Sequence, residues 1–383
     1  MPWTAVCIAC TFLTAQALAG EASNASRIAL TAEQAQSLRA AIQSEPAAAR
    51  AFDAVKRLAD RSLKEKPQPV QRIISEGRLH SEPEKIRSLA ARRDLFKSEA
   101  LAYAYTATGK REYGEKAREF ILAWAHTYQC DGNPINETEF VRLMKAYDIA
   151  RGLFSADERG EVERWLLGMA EKEKNDIRPE STAARNNHMS HRLKIIGHVA
   201  YLLPEPALVR WIAAEYKHHL EQNLNADGTT FDFHQRDALH YHVYDLLPLV
   251  ELAIAARQNG ENFYGYVTSR GATLEKATAF LIPYIEGEKM HREFVHSTVK
   301  FDAERSSAGD PSIRVGALWK PQEAKRLFDL AGYFSPRFHE VKFAGGETES
   351  FERLLARLGR KPEERAVGTK ADEKNRGGSL NRP

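Results

Sequence analysis

From residue 93 to residue 287 the apolar residues recur every three or four positions, and this period limits the fold more than any other feature of the chain. The stretch RDLFKSEALAYAYTATG (93–109) places Phe96, Ala100, Tyr103 and Ala107 on one helical face. EYGEKAREFILAWAHTY (112–128) does the same with Ala117, Phe120, Ile121 and Trp124. Similar runs follow at MSHRLKIIGHVAYLL, PALVRWIAAEYKHHLEQNL and DALHYHVYDLLPLVELAIAAR. Gly, Pro, Asn and Asp punctuate the joins, as in TGK, DGNP, LLPEP and NADG, and Ser155 with Glu158 forms a capping-box signature. Runs of alternating β-branched residues are nearly absent, so a sheet core has no raw material. Many helices joined by short connections pack as antiparallel hairpins. The expected class is therefore all-α, an incomplete (α/α) toroid or barrel built from antiparallel helical hairpins.

The ends read differently. Residues 1–19 carry no charged side chain and close on Ala17-Leu18-Ala19, which predicts a secretory signal peptide cleaved after Ala19 and a periplasmic or secreted protein. Cleavage would remove Cys7 and Cys10 and leave Cys130 alone, so no intrachain disulfide is expected. Residues 20–360 are assigned to the toroid domain. Within it, 66–85 is rich in Pro, Gly and charge without a period, long for a connection, and a possible lid loop. Residues 361–383 are polar and Gly-rich and read as a disordered tail. The net charge of +3 comes without a dense Lys/Arg stripe, which argues against nucleic acid as a partner. No run after the leader reaches membrane-spanning length.

Two polar clusters interrupt the helical pattern. Asn186, Asn187 and His188 stand at the mouth of an apolar helix, where a single Asn would suffice as a cap. The second cluster, TTFDFHQRDALHYHVYDLLPL (229–249), holds His234, Arg236, Asp237, His240, Tyr241, His242 and Tyr244. If it is helical throughout, His234 and Tyr241 share a face, being seven residues apart. No H-E-x-x-H or Cys set supports a metal, and no cofactor is implied. Asp232 and Asp237 are candidate carboxylates for glycoside hydrolysis, but no spacing singles them out. Asn, His, Arg and Tyr together suit abstraction of a proton α to a carboxylate. Donors neutralise the carboxylate, negative charge spreads onto it, and a phenolate takes the proton.

At these residues the chain resembles the alginate lyase superfamily of helical-toroid polysaccharide lyases. NNH at 186–188, DG at 227–228 and ALHYHVYDLLPL at 238–249 are similar to that family's segments in order and approximate spacing. The resemblance spans roughly residues 85–300. It implies an exported lyase acting on poly-β-D-mannuronate or glucuronan by β-elimination. It further implies Asn187 and His188 as carboxylate neutralisers and Tyr241 as base and acid. The family's mannuronate branch has an Arg seven residues before that Tyr; here the position is His234, and the nearest Arg is Arg236. Either Arg236 reaches in from a shifted backbone or His234 takes the role.

The expected catalytic set is Tyr241, His188, Asn187 and Arg236. The expected substrate contacts are Asn186, His234, His240, His242 and Tyr244, with Arg78 and His80 from the lid. The segments NPINETEF (133–140) and 292–309 line subsites or merely cap helices. The partner is an acidic polysaccharide, met by a monomer without nucleic acid or membrane. A hydrolase on an α/α scaffold and a non-catalytic polyuronate-binding protein remain the alternatives. A single Tyr serves mannuronate and glucuronate equally, because H5 and O4 leave from the same ring face in both.

Overall fold

A computed structural model describes residues 27–203, 205–344 and 348–360. The expected signal peptide (1–19) and polar tail (361–383) lie outside the described residues. The N-terminal helices are α1 (Ala32–Ser44), α2 (Pro46–Ser62), α3 (Pro83–Ala91), α4 (Arg93–Thr108) and α5 (Arg111–Thr127). Next come α6 (Pro134–Glu137), α7 (Phe140–Ala150), α8 (Ala156–Asn175), α9 (Asn187–Leu202), α10 (Pro206–Asn223) and α11 (Phe231–Arg236). The C-terminal third holds α12 (Leu239–Gln258), α13 (Leu274–Ala279), α14 (Ile282–Ile285), α15 (Lys300–Ser307), α16 (Lys325–Ala331), α17 (Arg337–Glu340) and α18 (Phe351–Gly359). No strand occurs among the described residues, only isolated bridges at Leu224–Thr230 and Arg292–Leu318.

Local chemistry sets the helix ends. Reciprocal capping boxes open α1 (Thr31 with Gln34) and α8 (Ser155 with Glu158). Proline starts α2, α3, α6 and α10, where its missing N–H has no partner to lose. α4 ends on Gly109 in the left-handed conformation that glycine adopts without strain.

Packing then runs in a ring. α2 meets α4, α4 meets α7, α7 meets α9, and α9 packs along α12. α12 meets α16, α16 meets α18, and α18 returns to α1 and α2. Helices α5, α8 and α10 back onto this ring from outside. The product is an incomplete (α/α) toroid whose last positions are filled by the short α16 and α18 rather than by full hairpins. α9 and α12 are buried on nearly every face, as inner helices must be. Trp124, Phe120, Phe140, Tyr147 and Tyr216 are fully buried within one continuous apolar core. Among the described residues no helix is long and apolar enough to cross a membrane.

Candidate active site

The first turn of α9 divides its three polar side chains between different tasks. Asn186 is the cap: its Oδ1 accepts the His188 N–H at 3.0 Å. That leaves Asn187 and His188 for other use. Asn187 is buried, and its backbone N–H and Nδ2 donate to the two oxygens of Asp232 at 2.5 and 2.8 Å. Asp232 is itself fully buried. Burial lifts its carboxyl to about 6, against the Asn187 bonds and Arg236, which pull it down. The pair locks the Asn187 carboxamide in one orientation. Burial also pushes the His188 imidazole below its ordinary value; Glu76 opposes this, and Arg236 and Arg192 reinforce it.

The second cluster departs from the expected continuous helix. α11 stops at Asp237, whose φ of 49° is left-handed, and Ala238 is extended before α12 begins. The cause is the loop 291–297. Phe294 N–H donates to the Asp237 carbonyl at 2.7 Å, and His296 N–H donates to the Asp237 carboxylate at 2.9 Å. Glu293 then takes the Leu239 and His240 N–H groups at 2.8 and 3.0 Å, satisfying the start of α12. With the helix broken, His234 and Tyr241 no longer share a face. His234 turns to Thr229 Oγ1 at 2.8 Å. Arg236 swings in instead, its guanidinium carbon 3.8 Å from the centre of the Tyr241 ring. Its Nη1 is paired with buried Asp302, and its Nε lies 3.8 Å from Asp232.

These elements surround a cleft of about 570 Å³. Tyr241, His188, Asn187, Arg236, His240, Tyr244, Arg78 and His80 all line it. Asn186, His234 and His242 do not. His242 is fully buried, with Nδ1 on Thr230 Oγ1 at 3.1 Å and Nε2 on the Ala277 carbonyl at 2.9 Å. The segment 66–85 brings Ser75 to Lys85 along the cleft wall. It is pinned there by Asn136, whose Oδ1 accepts from Ser75 N–H, Ser75 Oγ–H and Glu76 N–H at 3.0, 2.9 and 3.0 Å. The stretch 133–140 therefore caps and anchors, and only Ile135 reaches the cleft. The stretch 292–309 does line it, through Phe301 and Arg305.

Arg305 escaped the sequence reading. It stands 64 residues after Tyr241 in a polar run with no distinguishing pattern, yet its Nη1 donates to the Tyr241 hydroxyl at 3.1 Å. Tyr241 is 7% exposed. Burial raises its phenol above the ordinary value, Arg236 and Arg305 oppose that rise, and Asp302 adds to it. The other cleft cations are Arg78, Lys85 and Arg92, against the acids Glu76 and Asp310. Such a wall attracts a polyanion. It also sets a phenol beside donors suited to a carboxylate. The two carboxylates considered for hydrolysis do not line the cleft: Asp232 is buried under Asn187, and Asp237 is bound to the 291–297 loop. Among the described residues no three His, Cys, Asp or Glu side chains come together to hold a metal ion.

The family model described as alginate lyase matches residues 33–291. Comparison with curated protein sequences finds no match. Among solved structures, an alginate lyase from Bacteroides ovatus superposes with a TM-score of 0.63 at 17% identity, covering 86% of this chain and 98% of that one. Alginate lyase A1-III from Sphingomonas species A1 superposes with a TM-score of 0.59 at 20% identity, covering 86% and 95%. A histidine-to-alanine variant of alginate lyase A1-III, solved in complex with tetrasaccharide, gives 0.59 at 20% identity, covering 86% and 94%. At these identities the likeness is one of fold.

Proposed function

Since the chain belongs to the alginate lyase family, it is a polysaccharide lyase, and we propose that it cleaves a β-1,4-linked polyuronate, poly-β-D-mannuronate or glucuronan, by β-elimination. The observation that carries this reading is the convergence of Asn187 and His188 from the start of α9, Tyr241 from the start of α12 and Arg236 from the end of α11 on one cleft. The sugar carboxylate sits against Asn187 and His188. Their N–H groups stabilise the charge that develops on it when the C5–H bond breaks. The Tyr241 oxygen takes that proton. The electron pair forms the C4=C5 double bond, the C4–O4 bond breaks, and the proton returns from Tyr241 to O4. Asp232 holds Asn187 in place throughout. Arg236, rather than His234, fills the Arg position, because the turn at Asp237 delivers it to the Tyr241 ring.

The test is absorbance at the unsaturated-uronate band, with the mature protein offered polymannuronate, polyguluronate and glucuronan separately, with and without chelator. Growth on polymannuronate or glucuronan that survives chelator is expected, and identifies the C2 configuration accepted. New reducing ends without absorbance would overturn elimination in favour of hydrolysis. Neither signal on any polymer would leave binding without turnover.

A further inference from the structure

Two guanidinium groups touch Tyr241, and they touch it differently. Arg236 stands over the ring, its guanidinium carbon 3.8 Å from the ring centre, with Nη1 on buried Asp302 and Nε 3.8 Å from buried Asp232. No N–H of Arg236 reaches the phenol oxygen among the described residues. Arg305 donates Nη1–H to that oxygen at 3.1 Å. We propose that Arg305 is a catalytic residue of the elimination, the donor that stabilises the Tyr241 phenolate, and that Asp310 is the positioning residue that aims it. The proposal rests on Tyr241 acting as the base, and it separates two roles that a single Arg would otherwise be assumed to combine.

The geometry supports this in three ways. First, an arginine N–H can only donate, so the phenol oxygen accepts and its own hydrogen is free to leave. Once it leaves, the bond becomes charge-assisted and strengthens as the base forms. Second, Arg305 is fixed before substrate arrives. Its Nε and Nη2 hold Asp310 Oδ2 at 3.0 and 2.9 Å, and Nη2 also reaches Ser312 Oγ at 3.3 Å. Burial would raise the Asp310 carboxyl, but two Ser312 bonds and Arg305 bring it down to about 2, so it stays charged. Third, the segment carrying Arg305 is docked onto the tyrosine. Phe294 and Ile313 pack with Ala238 and Tyr241 in a small apolar cluster apart from the main core.

The charged and titratable groups facing Tyr241 are few: Arg236, Arg305 and Asp302, with His240 and Tyr244 in ring contact at 5.2 and 6.0 Å. Lys85 and Asp310 act on it through Arg305. Arg305 is the only one of these whose N–H meets the reacting oxygen among the described residues.

The experiment compares wild type with R305K, R305Q and D310N in the full chain. Two readings are taken. One is kcat and KM against pH on the polyuronate that wild type cleaves. The other is titration of Tyr241 at the phenolate absorption band, isolated as the difference between each protein and its Y241F partner. Loss of one preorganised donor predicts a fall in kcat of about 10²–10³-fold for R305Q at neutral pH. The rising limb of kcat and the Tyr241 titration should both move to higher pH. R305K should be intermediate, and D310N should move both in the same direction by less. An unmoved limb with a raised KM would overturn the proposal and make Arg305 a substrate-carboxylate contact. Should R305Q fail to fold, R305K and D310N decide by the same readings. The phenolate titration needs no substrate. Absence of elimination in wild type would therefore sink the lyase reading, while the titration still decides whether Arg305 governs Tyr241.

Discussion

At the scale of single residues, the site centres on one phenol and the two guanidinium groups that touch it. Tyr241 is raised by burial and held back by two guanidiniums, so the sign of its pH effect follows. A base that must ionise from above its ordinary value needs higher pH, and activity should climb from neutral into the alkaline range. A profile peaking well below neutral would point to a carboxylate base instead. Tyr241→Phe keeps the ring over Arg236 and removes only the oxygen; turnover should vanish while far-UV circular dichroism and polymer binding persist. Asn187→Ala has a double effect. On the proposed mechanism it removes a donor to the sugar carboxylate, which should lower kcat by about 10²–10³-fold. It also strips one bond from buried Asp232, costing about 1–3 kcal/mol in chemical denaturation.

At the scale of elements, the cleft depends on how two loops are tied to helices. The cleft end of the 66–85 segment is anchored by the Asn136 amide on α6, and further back Asp94 and Ser88 accept the Gln68 and Ile74 N–H groups. Asn136→Ala should raise KM for polymer more than it lowers kcat, and limited proteolysis should cut near Ser75 faster than in wild type. The same short helix carries Glu137, buried beside Glu173 of α8. Burial lifts Glu137 from the usual 4.5 to about 7, and Glu173 is raised as well, by burial and then by Glu137. The folded state thus binds protons more tightly than the unfolded chain here. That contribution is complete below the ordinary carboxylate value and is lost as pH rises through about 7. Glu137→Gln should flatten the decline in urea midpoint across this window. An equally steep decline in the variant would place the loss elsewhere.

At the scale of the whole molecule, the toroid is held by the return of α18 to α1 and α2. Leu354 on α18 is fully buried, and Leu354→Ala should cost about 2–5 kcal/mol in denaturant unfolding. A loss confined to α18, without a shift of the global transition, would show that this helix is not part of the cooperative unit. The helical class, the capping box at Ser155 and the surplus polar residues after the Asn186 cap were all legible in the chain, because they depend on neighbours three or four residues away. What could not be read is what depends on distant partners. The loop 291–297 pulls Asp237 into a left-handed turn, and that turn decides that Arg236 enters the cleft and His234 leaves it. His242 falls into the core because Thr230 and Ala277 stand ready for both its nitrogens. Arg305 reaches Tyr241 across 64 residues. Periodicity by itself marked the helical segments and the buried face of Ala117, Phe120, Ile121 and Trp124, although Phe96, read onto the same face as Ala100 and Tyr103, is exposed; only the closed ring decided which polar side chains meet, because their separation in space bears no relation to their separation along the chain.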